Sequence, residues 1–98
     1  MSSRAASRRA SQRILQLTQS MVRADQLTSH QLGGQSPQLW AREQLEAHPH
    51  HPHIQLFLAL MELGEQQGRL PEEGLRLLER RVREEIETQD SVPWWLTP

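Results

Sequence analysis

Four histidines, His48, His50, His51 and His53, stand close together in this 98-residue chain and are its densest concentration of chemistry. Neutral imidazoles suit zinc, copper or nickel. Pro49 and Pro52 interrupt the run and hold the backbone extended, which spreads ligands apart. The sequence has no cysteine to complete a closed coordination sphere. The stretch is therefore expected to be a stiff polar connector that gains charge as pH falls through about 6.5. No metal and no cofactor is expected.

The arginines are a second set. All 11 basic residues are arginine, and the first 24 residues carry Arg4, Arg8, Arg9, Arg13 and Arg23 with no acid among them. Guanidinium forks favour planar, two-pronged contacts to carboxylate or phosphate. Two uses follow: engagement of an acidic protein surface, or weak and salt-sensitive binding to nucleic acid. No aromatic is interleaved to stack on bases. The string Arg8-Arg9-Ala10-Ser11 also has the form of a basophilic kinase target, where a phosphate would cut the positive charge.

The third set is Trp94-Trp95, two of the three tryptophans, near the C-terminus. They either fold back over the core or project as a partner anchor, the role in which tryptophan is most enriched. No nucleophile–base–acid set, phosphate loop or spaced carboxylate pair stands out, and Gly33-Gly34 alone is a hinge. The chain is not expected to be an enzyme.

The elements that carry these residues are helical. Residues 1–11 have no large apolar side chain beyond Met1, so they are expected to form a disordered basic tail. Composition also allows a transit peptide there, though not a secretory signal. From Ser11 to about Ser29, Ile14, Leu17, Met21 and Ala24 recur at helical spacing, a stripe that also suits a short coiled-coil seam. Residues 12–36 thus form an amphipathic helix and a glycine-rich hinge. Ser36-Pro37 starts a short helix, which ends before His48-Pro49. Ile54 to Leu63 is apolar around most of its circumference and marks a central, covered helix. Pro71, Glu72 and Glu73 open the last helix, with Leu75, Leu78, Val82 and Ile86 as its buried line and Glu72–Arg76 and Glu79–Arg83 as ion pairs.

The expected fold is all-α: three or four helices after the tail, with an αα-hairpin at 53–68 and 71–88 inside a helical domain spanning 37–90, and a tryptophan-bearing tail at 91–98. Ile14, Leu17, Met21, Phe57, Leu60, Leu78 and Val82 are the candidate core or self-association residues. A chain this small, with 4% aromatic residues, gains from a partner copy, so a homo-oligomer is expected. No run of about 18 apolar residues is present, so no membrane span is expected and the location is taken as cytoplasmic.

A basic N-terminus, a glutamine-bearing helical middle and C-terminal tryptophan, in that order, resemble the McdB-type adaptors that position carboxysomes. The resemblance implies a non-enzymatic adaptor. Arg4, Arg8, Arg9 and Arg13 would act on a ParA-type ATPase, the helical middle would oligomerise, and Trp94 or Trp95 would contact carboxysome shell components. The alternatives are a small nucleic-acid-associated protein using the arginine head, and a chaperone-like hairpin holding a partner segment beside Leu56, Leu60 and Leu63.

Overall fold

The computed structural model describes residues 3–26 and 32–91, and these fold as four α-helices with no strand among them. They are α1 (Ser3–Ala24), α2 (Pro37–Ala47), α3 (Pro52–Gln67) and α4 (Glu72–Ser91).

Local chemistry sets most of the boundaries. Ser36 caps α2 by accepting the Gln38 N–H at 3.2 Å, with Pro37 at the first position, where its missing N–H costs nothing. Pro52 opens α3 in the same way. Gly68 ends α3 in the left-handed region at φ 67°, where glycine carries no Cβ penalty, and the Arg69 N–H reaches back to the Gly64 carbonyl at 3.2 Å. The two anticipated ion pairs form on α4, Arg76 to Glu72 at 2.6 Å and Arg83 to Glu79 at 2.5 Å.

Two boundaries of α1 differ from the sequence expectation. The helix stops at Ala24, where Asp25 turns left-handed at φ 55°, rather than continuing toward Ser29. At its other end it begins at Ser3, where a disordered tail over 1–11 was expected. Alanine and arginine are strong helix formers, and three of the first ten residues are alanine. Ala10 and Ser11 are both 6% exposed, and Ser11 meets His51 and His53.

One core joins the four helices. Ile14, Leu17 and Met21 of α1, Ala41 of α2, Ile54, Phe57, Leu60 and Met61 of α3, and Leu75, Leu78 and Val82 of α4 are all buried. Trp40 of α2 meets Phe57 edge-on, ring centroids 5.8 Å apart. Helix α3 packs on all three neighbours, as its broad apolar circumference requires. The heaviest pairings are α1 along α4 and α2 along α3, and the α3–α4 hairpin is the lighter contact. The sequence suggests an αα-hairpin inside a domain starting at 37. Instead α1 is integral to the bundle, because the stripe on α4 needs the stripe on α1 to cover it.

Candidate functional site

The helices bring a set of polar side chains together at the corner where α1, the start of α3 and the far half of α4 meet. On α1, Ser7 and Ser11 are one turn apart and face the start of α3. Pro49 and Pro52 stiffen the connector, and His51, just before Pro52, takes the capping position of α3 with φ −72° and ψ 111°. The Ile54 N–H donates to His51 Nδ1 at 3.4 Å. On its other side, His51 Nε2 lies 3.1 Å from Ser11 Oγ and 3.2 Å from the Ser7 carbonyl. Ser11 Oγ is also 3.3 Å from His53 Nδ1. Nε2 of His53 is 3.0 Å from Glu85 Oε2 on α4.

These contacts fix the direction of each bond. Because His51 Nδ1 accepts from Ile54, the neutral ring carries its proton on Nε2 and donates it to Ser11 Oγ and the Ser7 carbonyl. The Ser11 hydroxyl is then free to donate to His53 Nδ1, whose Nε2–H donates to Glu85. Every imidazole nitrogen in the pair has a partner, as buried polar atoms require.

His51 is 9% exposed and His53 7%, so both are buried. The His53 pKa lies below its ordinary value of 6.5. Burial is the chief cause, Glu85 pulls in the opposite direction, and His51 and Arg81 add to the lowering.

Serine, imidazole and carboxylate in sequence resemble a nucleophile–base–acid relay. The surroundings do not supply the rest of such a centre. Ser11 lies inside α1, so its own N–H and those beside it belong to the helix ladder and cannot cradle an oxyanion. An open cleft of about 400 Å³ lies at this corner, lined by Ser7, His48, His50, His51 and Glu85, but neither Ser11 nor His53 lines it. What the arrangement can do is hold α1 against α3 and respond to protons.

The histidine stretch is thus only half the polar connector expected. His48 is half-buried and His50 exposed, whereas His51 and His53 are sealed into the bundle. Among the described residues, no group of three or more His, Asp or Glu side chains has the geometry to hold a metal ion.

The other predicted site residues distribute as follows. Arg8 and Arg9 are exposed on α1, Arg23 is exposed near its end, and Arg13 is half-buried, bonding Gln16 at 3.3 Å. Arg4 lies in the first turn of α1. Trp94 and Trp95 lie outside the described residues. Ile14, Leu17, Met21, Phe57, Leu60, Leu78 and Val82 are buried within one chain. Of the proposed groove, Leu60 is buried against Gly74, Leu56 is half-buried, and Leu63 is 40% exposed. None of the described helices is long and apolar enough to cross a membrane.

Sequence reasoning missed Ser7 and Glu85, and it read Ser11 as a kinase target rather than as a partner of the histidines. A signal was present. Ser7, Ser11, Ile14, Thr18 and Met21 follow a four–three spacing, so the two serines continue the buried stripe of α1 toward its start. His53, Phe57, Leu60 and Gly64 form the same kind of line on α3, and Glu85 follows Leu78 and Val82 on α4. Polar residues at the ends of three buried stripes mark a place where the stripes meet.

Comparison with known proteins returned no matching family model, no matching curated protein and no matching solved structure.

Proposed function

We propose that the protein is a non-enzymatic adaptor that engages an acidic partner protein through the outer face of α1. The observation that supports this reading is the composition of that face. Arg8, Arg9 and Arg23 are exposed on the side of α1 away from the core, interspersed with glutamines, and no acidic residue precedes Asp25. The helix spaces these charges rigidly, so less side-chain and backbone freedom is lost on binding than from a flexible tail. The charges on α4, by comparison, are of both signs. A like-signed face is built to meet an opposite charge and to accelerate the encounter.

In this reading the tail carrying Trp94 and Trp95 serves a second partner, and self-association is a further property of the bundle. A ParA-type ATPase for α1 and a carboxysome component for the tail are the partners that the McdB resemblance implies.

The test uses the full chain, a purified ParA-type ATPase and a short DNA duplex. Changing Arg8→Gln, Arg9→Gln and Arg23→Gln together should abolish ATPase binding with helical content unchanged. Trp94→Ala with Trp95→Ala should leave it intact. Duplex binding that weakens steeply with salt, without ATPase binding, would instead favour the nucleic-acid reading. Binding to neither, or binding indifferent to the three arginines, would overturn the proposal.

A further inference from the structure

The first turns of α1 are held to the bundle by a different kind of interaction from the rest of the helix. From Ile14 onward α1 buries Ile14, Leu17 and Met21. Ahead of Ile14, the buried side chains among those described are Ala10 and Ser11. One buried methyl stabilises by only about 0.8 kcal/mol. What the segment buries instead is a polar junction, in which Ser11 and the Ser7 carbonyl meet His51 and His53.

Those bonds require neutral rings. A proton added to Nδ1 of His51 would point at the Ile54 N–H, donor against donor, and would put positive charge at the N-terminal end of α3, where the helix dipole opposes it. A proton added to Nδ1 of His53 would leave the Ser11 oxygen facing two imidazole donors and strand its own hydrogen. The charges facing this corner pull in both directions, and burial outweighs the one that favours a proton. Glu85 on α4 favours a charged His53, but Arg81 on the same helix opposes it. The two rings lie 5.4 Å apart, centroid to centroid, and His48 is 6.2 Å from His51, so charges placed here repel one another. Helix α1 contributes arginines and no acid.

We infer that the Ser11–His51–His53 junction is a proton-sensitive latch, and that acidification undocks residues 3–13 of α1 while the apolar remainder of the bundle stays folded. Release frees the segment bearing Arg4, Arg8, Arg9 and Arg13 from its fixed helical spacing. It also uncovers the Ser11 hydroxyl, which the docked helix buries within the Arg8-Arg9-Ala10-Ser11 string. The latch goes beyond the adaptor reading and does not depend on what α1 binds.

The test is hydrogen exchange of the full chain at about pH 7.5 and about pH 5.5, corrected for intrinsic exchange rates. Protection over residues 7–13 should fall at least about tenfold at the lower pH, while amides 75–83 of α4 change by less than about twofold. The midpoint of the loss should coincide with the NMR titration of the His51 or His53 ring protons. Protection that is unchanged, that falls equally across α1 and α4, or that tracks neither histidine would overturn the latch. The double variant His51→Asn/His53→Gln keeps hydrogen-bonding groups without titration and should lose the selective response. Selective release persisting in it would overturn the inference as well. If it does not fold, the wild-type midpoints still decide.

Discussion

The two halves of α1 belong to one continuous helix yet are held to the bundle by opposite means. Its C-terminal half presents Ile14, Leu17 and Met21, each fully buried, to the stripe on α4. Its N-terminal half presents serine to a pair of imidazoles. Apolar burial is non-directional and indifferent to pH over the physiological range, whereas a hydrogen-bonded junction holds only while each donor meets an acceptor. One helix thus has a permanent anchor and a conditional one. Regions that move are drawn from the part of a structure with little apolar contact, and the first three turns of α1 qualify.

The contrast predicts unequal responses to substitution. Leu17→Ala removes a fully buried side chain from the α1–α4 seam and should destabilise the protein by about 2–5 kcal/mol. Urea unfolding followed by circular dichroism would show this as a lower midpoint with an unchanged slope. A loss below about 1 kcal/mol would mean that the C-terminal half of α1 is no firmer than the N-terminal half. A smaller effect, of opposite sign, is expected one residue later. The Thr18 side chain is fully buried, and its hydroxyl has no hydrogen-bond partner among the described residues. Thr18→Val keeps the branched shape, removes the unpaired group and should stabilise by about 1 kcal/mol in the same measurement. Destabilisation would show that the hydroxyl is satisfied and that the apolar half of α1 is not purely apolar in its bonding.

The sequence made the apolar half of this comparison legible and hid the polar half. Helix starts at Ser36-Pro37, the stop at Gly68 and the ion pairs on α4 depend on neighbours within about four residues, and local chemistry shows them. The core stripe Ile14, Leu17, Met21 is equally local, being a periodicity. The histidine corner is not. Ser11 and His53 are 42 positions apart, and nothing in either segment says that the other faces it. In isolation, serine and alanine look like solvent-facing residues and histidines between prolines look like a connector. Only the packing of α1 on α3 makes them a buried pair. The order of the pairings was hidden for the same reason: adjacent helices joined by a short turn suggested a dominant hairpin, whereas the complementarity of the α1 and α4 stripes decides which surfaces pack most.

The smallest expected effect concerns protons and global stability. His53 has a folded-state pKa below its unfolded value of 6.5 because burial disfavours the charged ring more than Glu85 favours it. The unfolded chain therefore binds the proton first as pH falls. Its contribution to stability is complete above about pH 6.5 and is lost progressively as pH descends from there toward the folded-state value. Urea unfolding of wild type and His53→Gln at a series of pH values should show the two curves diverging below about pH 6.5, with wild type losing more. A rise in wild-type stability on acidification, relative to the variant, would mean that the Glu85 pairing outweighs burial. The latch adds a further constraint on the shape of the curve. Once the first turns of α1 undock, His53 is open to solvent in the folded protein and takes up its proton as the unfolded chain does, so the difference should level off. A loss that continues below the pH at which the first turns of α1 lose their exchange protection would place His53 in the permanent anchor, and α1 would then be held as one unit along its whole length.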